Sequence, residues 1–444
     1  MSTPRLDEAE PVEAPAASVG APSADAPADP QTTKAVGLAA ATMAANLVAV
    51  VFTVVFTRLL GTDGYGSLAA MLNLTVILFV PGAALQVAAA REGTLGHLGR
   101  GGELAGTLAR WTRRILIALV VVVVVSCLAR EPLAALVNVD QVWAAAAVPT
   151  TAVLWLLLSL QRGLLQAARS YRAVGLSIAL EALLRLGMSL ALVGVGLGVT
   201  GAYLGTLCSL ALTAVALELL LRRRLGPATP GVRQHPLREL VRSAALPIGA
   251  LTLVAALQNV DVIMAKHALG EDPAGVYAAS AVAGKAVLWI AVGLGFWVLP
   301  EATRRAAAGG DPRGVLLRAL GVIGALSAVA LLIFATVPAL LLRTAFGAEY
   351  ESGETILLTL GIAYALLSCG YLAVQLLLGL RRRWFAAALA VVAVVEPILL
   401  AGAHDLERFA AVVLGVQAAA AVVLLALAAA SRTAASSSHA PATP

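Results

Sequence analysis

Charge is what this sequence has least of. Only 13% of its 444 residues are Asp, Glu, Lys or Arg, about half the share found in soluble domains, and that excludes a water-soluble globular enzyme. Lysine is almost missing: Lys34, Lys266 and Lys285 stand among 31 basic residues. The three cysteines, Cys127, Cys208 and Cys369, lie far apart in apolar runs. Neither a disulfide framework nor a thiolate metal site is expected, since both need clustered cysteines. The five histidines are scattered over loops, helix ends and the C-terminal tail. No HExxH, Walker A or GxSxG sequence is present. Long polar loops are also missing, the longest being about 91–111 and 222–239. A nucleotide-binding domain does not fit in them.

Apolar runs fill the space that charge leaves. Hydrophobic residues make up 60% of the chain, and runs long enough to cross hydrocarbon recur from Ala35 to Ala430. The expectation is an all-α polytopic membrane protein. Twelve spans are expected, at roughly 36–58, 65–90, 112–129, 142–168, 173–195, 198–221, 240–269, 274–299, 316–342, 353–379, 384–403 and 407–430. Residues 1–34 are Ala/Pro-rich with no apolar core behind a basic start, so they read as a disordered cytoplasmic tail and not a signal peptide. The chain then divides into a bundle over 35–224, a cytoplasmic linker at 225–238, a second bundle over 239–430 and a polar tail at 431–444.

Basic residues orient the spans. With both termini inside, 24 of the 31 basic residues fall in cytoplasmic segments. Only Arg58, Arg130, Lys266, Arg343 and Arg408 lie outside, and Arg185 and Lys285 are in the membrane. The asymmetry alternates at every loop, as the positive-inside rule requires. The net charge of +6 therefore points to a cell-membrane orientation and not to nucleic acid. Trp111, Trp297 and Trp384 fall near cytoplasmic ends and Trp143 near an outer end, the places of interfacial anchors.

An internal repeat links the two bundles. FTRLLGTDGYGSLAAM (56–71) and AKHALGEDPAGVYAAS (265–280) align at an offset of 209 residues. Leu60-Gly61 matches Leu269-Gly270, Asp63 matches Asp272 and Gly66 matches Gly275. Both stretches join an outgoing helix to a returning one on the outer face. REPLAALVNVDQVW after span 3 and VPALLLRTAFGAEY after span 9 form a second matching pair of outer loops. Two six-helix halves of like orientation, with a site at their interface, are a secondary-transporter design.

These residues carry a resemblance. FTRLLGTDGYGSLAAM followed by GAALQVAAAR resembles the opening of the polysaccharide-exporter flippases of the multidrug/oligosaccharidyl-lipid/polysaccharide (MOP) exporter superfamily. LPIGALTLVAALQNVDVIMAKHALGEDPAGVYAASAVAGKAV is similar to their seventh and eighth helices, and WVLPEATR with AFGAEYESG continues the likeness over Ala35 to Ala430. The resemblance implies two six-helix bundles around a central cavity and movement of an undecaprenyl-linked sugar to the outer leaflet. Its partners would be the lipid-linked glycan, membrane lipids and glycan-assembly enzymes.

Charges inside the spans are the candidate functional groups, because each costs about 2.5–3.5 kcal/mol on insertion scales. Asp261 and Lys285 are placed at similar depth in spans 7 and 8. They read either as a gating or coupling pair or as a static ion pair. Glu181 and Arg185 are four apart on span 5, hence on one face; Arg185 is suited to a diphosphate, unless Glu181 simply neutralises it. Arg162 either joins that cluster or snorkels to the cytoplasm. Glu396, before Pro397 in span 11, is a candidate proton carrier or an acid bonded to backbone freed by the proline. Arg58 and Arg91 match basic positions in the family's opening motif. Asn73, Gln86, Gln258, Asn259, Gln375 and Gln417 read as interhelical glue. Gly196, Gly198 and Gly201 fit GxGxxG, but between membrane helices, where that pattern has no phosphate role.

A flippase for lipid-linked oligosaccharide is thus the leading expectation, a transporter and not an enzyme. It would have no cofactor and would draw on an H+ or Na+ gradient, membrane potential or consumption of product outside. A cation-coupled multidrug exporter, a membrane glycosyltransferase or polymerase, and a scaffold of a biosynthetic complex are the alternatives.

Overall fold

The computed structural model describes residues 30–229, 237–380 and 382–431. The expected tail at 1–34 lies outside the described residues except for 30–34, which are already helical; half of the expected linker at 225–238, residues 230–236, lies outside them, and the expected tail at 431–444 almost wholly so. Within those described, the chain is helical and no strand forms. The reason is solvation: in hydrocarbon a backbone N–H or C=O must be satisfied within its own segment, and a helix does this locally.

The first half runs α1 (Pro30–Thr94), α2 (Gly102–Leu128), the short α3 (Arg130–Val137), α4 (Val142–Ala167), α5 (Tyr171–Leu192) and α6 (Gly198–Leu225). A π-helical turn, Val193–Leu197, joins α5 to α6. The short α7 (Leu237–Ser243) leads into the second half. There follow α8 (Ala245–Ala268), α9 (Glu271–Gly284), α10 (Ala286–Ala307), α11 (Arg313–Thr336), the short α12 (Pro338–Ala345), α13 (Glu354–Gly379), α14 (Trp384–Leu400) and α15 (Leu406–Ala430). A 3-10 turn, Ala348–Gly353, precedes α13.

Among the described residues nine helical stretches are long and apolar enough to cross a membrane. Two of them, Ala40–Thr94 and Tyr171–Leu225, hold 55 residues each, far more than the roughly 20 one crossing needs. Each turns at glycine: Gly61 has φ 69°, and Gly196 has φ 92°, conformations that a Cβ disfavours. With the shorter Trp384–Leu400, the fold is that of about twelve transmembrane helices in two six-helix halves.

The repeat is visible in the backbone. Gly61 (φ 69°, ψ −176°) and Gly270 (φ 83°, ψ −174°) adopt the same turn. Burial repeats too. The apolar windows of α4 and of the Ala348–Gly379 stretch that contains α13, the fourth span of each half, are 61% and 67% buried. Those of α2 and α11, the third spans, are 22% buried. The fourth span is therefore the core of each half and the third its outer wall. Val120, Val121, Val124 and Val125 on α2 are accordingly exposed.

Two expectations change. Span 8 is irregular at its middle: α9 ends at Gly284 and α10 begins at Ala286, and Lys285 between them keeps helical angles and its bond to the Ala281 carbonyl. Gly284 lets the Tyr364 ring come so close that a Cβ would lie 2.8 Å from its Cδ2. Trp111 is not an interfacial anchor but a core residue, fully buried among Leu108, Ile115 and Leu158. Trp143, Trp297 and Trp384 are exposed, in keeping with interfacial places. The three cysteines are free thiols of intermediate burial.

Candidate functional site

Asp261 and Lys285 meet, but not as an isolated pair. Asp261 lies on α8 and is buried. Its Oδ2 accepts hydrogen bonds from Tyr277 (2.8 Å) on α9 and from Tyr364 on α13. Its Oδ1 lies 3.8 Å from Lys285 Nζ and accepts no hydrogen bond. The Lys285 ammonium points instead to the other half of the molecule, donating to Asn73 Oδ1 on α1 at 3.2 Å. The same ammonium sits 5.4 Å from the centre of the Tyr364 ring. Lys285 thus stands at the seam, with a carboxylate behind it and an amide of the first half before it.

Glu396 on α14 is buried beside this cluster. Its partner is not backbone freed by Pro397, as one expectation had it. Gln417 Nε2 on α15 donates to Glu396 Oε1 (2.9 Å) and to the Leu257 carbonyl (3.1 Å), one turn before Asp261 on α8. Glu396 Oε2 and Gln417 Oε1 are buried without hydrogen-bond partners. Four helices, α8, α9, α13 and α14, therefore bring two carboxyl groups, two phenols and one ammonium together, with Gln417 contributed by α15. Charge in the spans had singled out Asp261, Lys285 and Glu396. Tyr277 and Tyr364 gave no such sign, because a tyrosine in an apolar run looks like core until its hydroxyl finds a carboxylate.

The first half is arranged differently. Glu181 does not neutralise Arg185. It pairs with Arg162, Nη2 to Oε2 at 3.2 Å. Arg162 does not snorkel: its side chain is only 3% exposed, and it also donates to Ser177 Oγ and the Ser177 carbonyl, each at 3.0 Å. Trp155, stacked on Phe79 at 4.4 Å, covers the guanidinium at 5.6 Å. A buried ion pair is tolerated when further hydrogen bonds satisfy its donors, and Ser177 supplies them here. The i, i+4 spacing was right about a shared face, but tertiary packing offered Glu181 a closer cation.

Arg185 is left without a carboxylate among the described residues. Its guanidinium lies 5.5 Å from the Phe52 ring of α1, and its Nε is buried with no hydrogen-bond partner. Among the other candidates, Arg58 is exposed just before the Gly61 turn, where Nη2 donates to the Thr344 carbonyl at 2.7 Å. It is not grouped with Arg185. Arg91 is exposed in the last turn of α1. Sequence reasoning missed Lys266, counted only as an outer charge. Its side chain is buried and bonds Asp63 Oδ1 of the other half at 2.9 Å.

The model of the polysaccharide biosynthesis protein family matches residues 32–293, more than half of the chain. The chain belongs to this family. No curated protein matches it. Among solved structures, it is similar to a multidrug-resistance MATE-family transporter of the MOP superfamily in an inward-facing conformation. The identity is 13%, over 87% of this chain and 94% of that one, with a TM-score of 0.70. An outward-facing conformation of such a transporter matches at 16% identity, over 90% and 96%, with a TM-score of 0.58. A MOP superfamily transporter from Pyrococcus furiosus, described as having a binding pocket of reverse polarity, matches at 15% identity, over 89% and 94%, with a TM-score of 0.52. At such identities these likenesses concern the fold. The chain is thus a multi-pass membrane protein of the polysaccharide biosynthesis family, with the fold of the MOP transporters.

Proposed function

We propose that the protein is a flippase that carries a lipid-linked oligosaccharide or polysaccharide precursor, of the undecaprenyl-diphosphate type, to the outer leaflet of the cell membrane. The family match supports the polysaccharide connection, and one observation carries the choice of cargo. Arg185 keeps a cation within a span that no carboxylate among the described residues neutralises, stacked on Phe52 with an unused buried donor. A cation so placed costs several kcal/mol in hydrocarbon unless a partner arrives, and the planar fork of arginine suits a diphosphate. The sugar would travel in a polar cavity between the halves while the lipid tail stays in the bilayer. Rocking of the halves would alternate access, and Lys285, bonded across the seam to Asn73, would be a group that changes partners.

Coupling to an H+ or Na+ gradient is assigned to the second half, where Asp261 Oδ1 and Glu396 Oε2 accept no hydrogen bond. The same carboxyl groups favour a second reading, a cation-coupled drug exporter. Reconstituted vesicles separate the two. The flippase reading expects a fluorescent undecaprenyl-diphosphate oligosaccharide to become accessible to a membrane-impermeant quencher with the protein's help, and cationic dyes to be ignored. Dye transport without movement of the lipid-linked sugar would replace it by the exporter.

A further inference from the structure

The outer ends of the two halves are joined by hydrogen bonds that repeat about a pseudo-twofold axis. At the 209-residue offset, Thr57 is equivalent to Lys266, Arg58 to His267 and Gly66 to Gly275. The Thr57 carbonyl accepts from Tyr350 (3.1 Å), and Arg58 donates to the Thr344 carbonyl (2.7 Å). Both partners belong to the outer segment that follows span 9 in the second half. In mirror fashion, the Lys266 carbonyl accepts from Asn138 Nδ2 (2.7 Å), and His267 Nε2 lies 3.0 Å from the Leu136 carbonyl. Both of those partners belong to the segment that follows span 3 in the first half. Each half's first hairpin is therefore held by the other half's short outer helix and the residues beside it.

Between these copies lies a centre. Lys266 Nζ bonds Asp63 Oδ1, and Thr62 Oγ1 bonds Asp272 Oδ1. The equivalent glycines meet here, as equivalent points must where the axis passes. A Cβ on Gly66 would lie 3.0 Å from the Gly275 amide nitrogen, and one on Gly275 would overlap the Thr62 carbonyl. Tyr65 crosses the seam to meet Tyr350 edge-on at 6.3 Å between centroids. Charge is spent unevenly: the Lys266 ammonium is buried, whereas the Asp63 side chain is 53% exposed.

We propose that this seam is the outer gate of the transporter. It is a latch in two pseudo-symmetric copies, closed by the Asp63–Lys266 ion pair and by glycine contact at the axis. Every one of its side-chain bonds joins one half to the other, so all of them break together when the outer ends part. The latch rests on the alternating-access part of the function proposed above and not on its cargo. Two discrete arrangements, bonded and parted, are what a rocking transporter needs at this end.

The test places a probe beneath the seam. Asn73 lies twelve residues past Gly61, roughly 18 Å deeper along its helix. Asn73→Cys is introduced with Cys127, Cys208 and Cys369 replaced by Ser, and an impermeant maleimide is added from outside. Labelling should be slow with the latch intact. Gly275→Val, which props the seam, and Asp63→Lys, which opposes two ammonium groups, should each raise the rate on the order of tenfold, a modest population shift. Asp63→Lys reads the gate if Gly275→Val fails to accumulate. Thr62→Cys with Asp272→Cys should form a disulfide on oxidation that stops transport, reversed by reduction. Fast labelling with the latch intact, rates unmoved by both variants, or failure of the cysteines to join would overturn the gate. So would full transport by the disulfide-linked protein. Labelling does not depend on cargo, so a positive result without sugar-lipid flipping would leave the gate standing and remove the flippase.

Discussion

The two halves share a fold and divide their charges unequally. In the first, Arg162 pairs with Glu181, and Arg185 remains as surplus positive charge among the described residues. In the second, Asp261 and Glu396 outnumber Lys285, and one oxygen of each carboxyl accepts no hydrogen bond. Buried charge persists only when paired or used. Under the function proposed above, this contrast would be a division of work: the first half would offer a cation to an anionic headgroup, and the second carboxyl oxygens to a small cation. A duplicated scaffold allows this, because equivalent helices keep the packing while a few buried side chains diverge.

The comparison can be broken most sharply at Arg162. Arg162→Ala strands Glu181 in a buried site, and removing one partner of such a pair costs about 3–5 kcal/mol. Thermal unfolding of the purified protein should show the largest drop of the series. An unchanged melting point would mean that the Arg162–Glu181 pair does not hold the first half together. Arg185→Ala should do the opposite, leaving stability nearly intact while transport of the lipid-linked sugar falls about 10- to 100-fold. That loss corresponds to about 1.5–3 kcal/mol for hydrogen bonds to a charged group. If stability falls and the transport of surviving protein does not, Arg185 is structural and the contrast between halves collapses.

Glu396→Gln sharpens the other side. The variant keeps a carbonyl oxygen for Gln417, so its stability should move by no more than about 1 kcal/mol. Stimulation by an imposed H+ or Na+ gradient should be lost, while exchange without a gradient persists. Retained stimulation would move coupling away from this carboxyl. Arg91→Ala marks the small end. The side chain is exposed at the end of α1, and surface changes of this kind stay within about 0.5 kcal/mol. Transport assays should find it close to the unaltered protein; a large loss would draw the substrate path to the cytoplasmic rim of the first half.

Much of the fold was legible because a bilayer leaves the chain few choices. Apolar runs of about twenty residues and the matched Gly61 and Gly270 hairpins are local features, and each dictates a helix or a turn without reference to distant contacts. The residues that carry chemistry were legible only as types. A charge in a span announces itself, so Asp261, Lys285, Arg185 and Glu396 stood out. Their partners did not, since pairing depends on which helices pack.

Composition and pattern alone determined the membrane class, the approximate number of spans and the doubling of the chain, for these follow from transfer energies that each segment meets by itself. Tertiary structure decided that Glu181 serves Arg162 and not Arg185, that Lys285 faces Asn73, and that Lys266 and Asp63, 203 residues apart, join the two halves. Electrostatic partnership falls off with distance in space and ignores distance along the chain. Only the packed arrangement of helices assigns it.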